Sequence, residues 1–201
     1  MSEPRETASE VREVTPGVWR WSIHDDRIDY VSDAYALAVD EGVVLIDPLP
    51  LAEVPLRRLG TVAAICLTCG SHQRSAWRYR RELGAPVYAP ALAREIDEDP
   101  DKRYGDGDLL PGSLRAVFTP GAGTTQHTFV REGEPGVAFC PDLLVRPEGE
   151  IALVRVEEYD PEEARRSIER LLELPFSLLC LTHGGIVSEE PKVAIRAVLR
   201  A

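Results

Sequence analysis

The sequence is poor in sulfur, in aromatic rings and in positive charge. Among 201 residues there are four cysteines (Cys66, Cys69, Cys140, Cys180), one methionine and 6% aromatic residues. Four cysteines in a chain of this length make no disulfide framework, so free thiols are expected. No apolar run approaches the roughly 20 residues that span a bilayer. Lys and Arg number 23 against 34 Asp and Glu, a net charge of −11. So acidic a surface repels phosphate backbones and anionic lipid, which excludes nucleic acid and membrane surfaces as expected partners. The first ten residues are polar and lack an apolar signal core, so residues 1–12 are expected to form a flexible tail and the protein to be cytoplasmic. No low-complexity linker interrupts the chain. What remains is 44% hydrophobic and 28% charged. That suits a single domain over 13–201, of a size that buries roughly 70% of its unfolded surface.

The front half reads as strands. Trp19, Trp21 and Ile23 alternate with Arg20 and Ser22, Tyr35, Leu37 and Val39 alternate again, and Asp40-Glu41-Gly42 signals a hairpin. The returning run Val43-Val44-Leu45-Ile46 is apolar on both faces and belongs in the middle of a sheet. From residue 60 the rhythm becomes strand then helix. Val62 to Leu67 is a strand and 68–73 a polar loop. A helix then follows with Ala76, Tyr79 and Leu83 on one face and Gly84 as its cap. Pro86 to Ala89 is the next strand, and residues 104–112 a loop rich in Gly, Asp and Pro. Three further strands are expected over 115–119, 126–131 and 137–139. Asp160-Pro161-Glu162-Glu163 starts a helix whose stripe is Ala164, Ile168, Leu171 and Leu172. Phe176 to Leu181 is a buried strand, and a last helix runs from about 188 to Leu199. Helices covering two packed sheets is the expected architecture.

One internal echo stands out: Ile65-Cys66-Leu67-Thr68-Cys69-Gly70 against Leu179-Cys180-Leu181-Thr182-His183-Gly184. Either two buried strands are alike by chance, or the fold has two related halves whose corresponding strand ends meet at one cleft.

From Gly17 to Gly185 the order of landmarks resembles the metallo-β-lactamase superfamily. Tyr35-Ala36-Leu37 with Val44-Leu45-Ile46-Asp47 resembles its opening hairpin, ending at a structural aspartate. Gly105-Asp106-Gly107-Asp108 and Phe118-Thr119-Pro120-Gly121 resemble the loop and stem of its third motif. Phe139-Cys140-Pro141-Asp142-Leu143-Leu144 resembles the aspartate motif, and Leu181-Thr182-His183-Gly184 the closing histidine motif. The resemblance implies an α/β fold, the four-layer αββα sandwich of that superfamily, and a protein of hydrolase ancestry.

It also implies a metal site that this sequence does not reproduce. The family holds one or two zinc ions with a His-x-His-x-Asp-His cluster, a histidine after Pro-Gly, the aspartate and the last histidine. Cys69, Ser71, Gln73 and Arg74 stand at the first four positions and Ala122 at the fifth, leaving Asp142 and His183. A neutral amide, a hydroxyl that would have to ionise, and a permanent cation are poor company for zinc. The expectation is therefore a protein without metal or other cofactor, its degenerate site binding a small molecule through Ser71, His72, Arg74 and Ala122. The Arg74 guanidinium could occupy the vacated volume and pair with Asp142. The alternative is a hydrolase of an ester, thioester or lactone working through Cys69, Asp142 and His183, since a thiol nucleophile with a histidine base needs no metal. Zinc held by Cys69 and His183 is a further alternative. His72 reads as a loop or helix-start histidine, His127 as a strand histidine, and the Cys66–Cys69 spacing as a buried structural thiol beside a loop thiol. The cluster Arg74, Arg78, Arg80, Arg81 reads as a solvated helix face or a small-anion site. Substrate and oligomeric state are left open.

Overall fold

The hairpin at Asp40 and Glu41 shows why the strand after it can sit deep in a sheet. Gly42 has φ +136°, and a Cβ there would lie 2.0 Å from the Thr61 carbonyl oxygen, so only glycine admits the neighbouring chain. The protein is described here as a computed structural model covering residues 3–154 and 159–200. Met1 and Ser2 of the expected tail, and 155–158 and 201 of the expected domain, lie outside the described residues.

The chain divides into two compact units, one of Met1–Tyr104 with Leu110–Gly112, the other of Gly105–Leu109 with Ser113–Ala201. In the first, a seven-stranded sheet runs in sequence order: β1 (Arg12–Thr15), β2 (Val18–Asp25), β3 (Tyr30–Val39), β4 (Gly42–Ile46), β5 (Val62–Cys66), β6 (Val87–Pro90) and β7 (Lys102–Tyr104). Pairing is antiparallel up to β4 and parallel from β4 to β7, so β4 is central and Val43 to Ile46 are buried, as a run apolar on both faces requires. Two helices join these strands, α1 (Glu53–Arg58) and α2 (Ala76–Leu83). α2 packs on β5 and β6 through Ala76, Trp77 and Tyr79 and ends at Gly84, whose left-handed φ of 69° lets its N–H reach the Arg80 carbonyl. Leu83, read as part of the buried stripe, is exposed in the last turn.

Residues ahead of β1 are held on this unit. Ala8 is buried and bridges Leu51, with Ala8 N–H donating to Pro50 and Ala52 N–H to Ala8, while Glu3 pairs with Arg78.

The second unit carries Leu109 of β8 (Leu109–Leu110), and β9 (Leu114–Phe118), β10 (His127–Arg131), β11 (Val137–Cys140), β12 (Leu144–Val145), β13 (Ala152–Leu153), β14 (Leu178–Leu181) and β15 (Ile186–Val187). Its sheet has the order β15-β14-β11-β10-β9-β8, with β11 and β14 parallel, and β12 pairs with β13 as a separate ribbon. Helices α3 (Pro161–Glu173) and α4 (Pro191–Val198) pack together. Asp160 caps α3 by accepting the N–H groups of Glu162 and Glu163, and Ala164, Ile168 and Leu171 are fully buried. Gly121 lets the chain touch this helix: its φ is +131°, and a Cβ would lie 2.5 Å from the Ala164 Cα. Ser167 then donates to the Pro120 carbonyl at 2.6 Å. Among the described residues no helix is long and apolar enough to cross a membrane.

Candidate functional site

Both units bring an aspartate, a threonine and a histidine together at the end of a parallel strand pair. In the first unit the pair is β4 and β5. Asp47 follows β4 with φ 47°, its N–H donating to the Cys66 carbonyl, and it is fully buried. Its Oδ1 accepts the Thr68 N–H at 2.8 Å and its Oδ2 the Thr68 hydroxyl. The same Oδ2 lies 2.9 Å from His72 Nδ1, which is also 3.2 Å from the Thr68 hydroxyl. A ring nitrogen facing a carboxylate carries the hydrogen, which in the neutral imidazole of His72 leaves the lone pair on Nε2. His72 sits in a short 3-10 turn, Gly70–Gln73, which enters from extended Cys69. A ring nitrogen of His72 lies within 4.8 Å of the Cys69 Sγ, and that sulfur is 3.1 Å from the Ser71 hydroxyl. Tyr104 steadies the approach to the loop by donating to the Leu67 carbonyl at 2.5 Å.

The next two side chains are committed elsewhere. Gln73 Oε1 accepts Trp77 Nε1 at 2.8 Å and the Asp97 N–H at 2.6 Å, and its Nε2 donates to the Glu95 carbonyl at 3.3 Å. Arg74, only 5% exposed, turns the chain with φ 40° and donates from Nη1 to the carbonyls of Asp33 at 2.8 Å and Asp47 at 3.1 Å. The other arginines of its cluster lie on α2 and meet acids: Arg78 pairs with Glu3 and Glu82, Arg80 with Asp101 and Glu98, and Arg81 with Glu98.

In the second unit the parallel pair is β11 and β14, in register from Val137 opposite Leu178 to Cys140 opposite Leu181. Asp142 follows β11 as Asp47 follows β4. Its Oδ1 accepts the Thr182 hydroxyl at 3.2 Å and lies 3.2 Å from His183 Nε2. Gly184, with φ 116°, lets the Arg146 backbone pass where a Cβ would be 2.4 Å from the Arg146 Cβ. The His183 carbonyl accepts the Arg146 N–H at 3.0 Å. Ala122 is buried in the loop behind Gly121 and offers a methyl group.

Thr68 and Thr182 are residues of the candidate site that reading the motifs alone passes over. Their signal was the internal echo, where each follows the last apolar residue of its strand. The echo also marks a difference, since Cys69 stands where the second copy has His183. The histidine that meets Asp47 comes three residues later.

All four cysteines are free and buried. Burial raises the Cys66 thiol far above its usual range, with the Asp47 charge adding to it, and pushes Cys140 up to about 12. His127 is buried in β10 with Nδ1 donating to the Thr125 carbonyl at 2.9 Å, and burial lowers its pKa. His24 pairs with Asp29 at 3.3 Å on the surface.

Set against the zinc ligands that the sequence resemblance implies, positions 73, 74 and 122 supply no donor. One is an amide already bonded at both ends, one a buried cation, one a methyl group. The residues present do not fit the family's full metal set.

Comparison with known proteins gives these features a setting. No curated protein matches the sequence. Among solved structures, the chain is similar to TMB-1 at 15% identity and TM-score 0.77, over 97% of this chain and 98% of that one. It is also similar to a metallo-β-lactamase from Pontibacter korlensis at 18% identity and TM-score 0.76, over 95% and 98%. An archaeal superfamily protein from Sulfolobus tokodaii follows at 15% identity and TM-score 0.70, over 90% and 84%. Likenesses at such identity show the fold, the mixed α/β metallo-β-lactamase type. A family model described as metallo-β-lactamase superfamily matches residues 12–174. By that match and by its fold, the chain belongs to the metallo-β-lactamase superfamily.

Proposed function

We propose that the protein is a metal-independent member of this hydrolase superfamily that binds a small molecule at the positions where its relatives hold zinc. The observation that carries the reading is Arg74. Its guanidinium is buried and tied to the carbonyls of Asp33 and Asp47, so a sequence position where the resemblance asks for a metal ligand holds a permanent cation already engaged by the backbone. Gln73 beside it has its oxygen, the atom that could meet a metal, already accepting two hydrogens. Protein purified without chelator is expected to carry well under one equivalent of zinc, and added zinc to leave its melting temperature unchanged. A ligand stabilises a fold by RT ln(1 + [L]/Kd), and a site lacking most of its donors has too weak a Kd to register. Stoichiometric zinc in the purified protein would overturn the reading.

A second reading, hydrolysis of an ester, thioester or lactone, is favoured by one specific observation. Cys69 lies beside His72, and His72 is already oriented by Asp47. A panel of activated esters, run alongside the metal analysis, tests it.

A further inference from the structure

We infer that Cys69 is a nucleophile, that His72 rather than His183 is its base, and that Asp47 positions that base, so the protein can carry an acyl group as a thioester. The inference rests on the metal-independent reading, because a thiol and imidazole bound to zinc could not act this way. Three observations within one unit support it. Asp47 Oδ2 faces His72 Nδ1 at 2.9 Å, which favours the neutral tautomer with its lone pair on Nε2. A ring nitrogen of His72 lies within 4.8 Å of the Cys69 sulfur. The aspartate is itself held by both donors of Thr68, so the imidazole is presented on a rigid support. His183 is arranged otherwise: its Nε2, the nitrogen a base would need, faces the Asp142 carboxylate. The three remaining thiols all lie within strands: Cys66 ends β5, Cys140 ends β11 and Cys180 is inside β14.

The substrate class is an ester or thioester of a small acid. The Cys69 sulfur attacks the acyl carbon while its proton passes to His72 Nε2, forming the C–S bond and a tetrahedral oxyanion. The Ser71 hydroxyl, 3.1 Å from the sulfur, is placed to donate to that oxyanion. Collapse breaks the bond to the leaving alkoxide or thiolate, which takes the proton from His72. Water then adds to the acyl-cysteine, giving a proton to His72. The C–S bond breaks, the acid leaves, and the proton returns to sulfur. The sum is ester plus water to acid plus alcohol, with no other reactant.

The test uses the full chain and p-nitrophenyl acetate, followed by intact mass and peptide mapping. A burst of nitrophenolate is expected with one acetyl group on Cys69, absent in Cys69→Ser. His72→Ala should acylate about 100-fold more slowly, the lower end of what a positioned base supplies, and added imidazole should restore part of the rate. A merely structural histidine would show no such rescue. Iodoacetamide labelling of the unmutated protein reports access to the thiol without any variant. Metal-free protein whose Cys69 resists both reagents overturns the nucleophile while leaving the metal-independent reading standing. Acylation of Cys69 undiminished in His72→Ala overturns the base assignment. Stoichiometric zinc on the parent overturns the underlying reading and the inference with it.

Discussion

Thr68 gives Asp47 two hydrogens, one from its backbone and one from its hydroxyl, in a place water does not reach. Thr68→Val keeps the shape and the backbone bond but leaves one carboxylate oxygen short of a donor. A stability loss of about 1–3 kcal/mol is expected in urea unfolding, with the slope unchanged. Thr68→Ser, which keeps the hydroxyl, should recover most of it. At this scale the sequence was half legible. Asp47, Asp142 and His183 were marked by motif. The meeting of Asp47 with His72 was not, because a histidine lying between two ligand positions of the family pattern reads as facing elsewhere. Nothing in a linear spacing reports that a 3-10 turn will swing its Nδ1 back by 25 residues. The anchoring of Arg74 on two carbonyls was equally hidden, since backbone acceptors carry no residue signature.

Elements with chemical punctuation could be read, and those without could not. α3 has a capping aspartate, a proline in its first turn and two glutamates at its positive end, and it begins where the sequence places it. Asp160→Ala should lower stability by about 1 kcal/mol, seen as a shift of the urea midpoint, and Asp160→Asn by much less. α2 was legible from its apolar face and the Gly84 cap, and α4 from Pro191 in its first turn. α1 escaped because it is six residues long with Pro55 inside it, too short to show a period. β7, β8, β12, β13 and β15 have two or three residues each, below the length at which alternation can be seen. The long run β2 to β4 was legible because each strand shows its alternation or its burial on both faces.

For the molecule as a whole, acid is the informative stress. Asp101 is held below the usual carboxylate range by the Val87 N–H and by Arg80. Burial works to raise Asp25 and Asp106, but hydrogen bonds and the charges of Arg27 and Arg170 outweigh it and both end up lowered. Carboxylates lowered in the fold contribute stability above their ordinary pKa of 3.8 and lose it as pH falls below. His127 is lowered from 6.5 by burial, so protonation favours the unfolded chain and its contribution is lost as pH falls below that value. At an ionic strength of about 1 M, where the screening length shrinks to ~3 Å and the net charge of −11 matters little, the melting temperature should hold above pH 7. It should decline from about pH 6.5 and drop steeply below pH 4, with His127→Gln flattening the first decline. A melting temperature that rises on acidification under those conditions would contradict the assignment. Arg74 carries a consequence on the scale of descent. Exchanging it for histidine would supply the kind of donor a metal centre asks for, yet imidazole cannot reach the carbonyls of Asp33 and Asp47 together, and the buried bonds Arg74 makes to them would be lost. If the protein works without metal, as proposed, a mutational path toward a metal centre at this position would start downhill in stability, with the guanidinium acting as a ratchet.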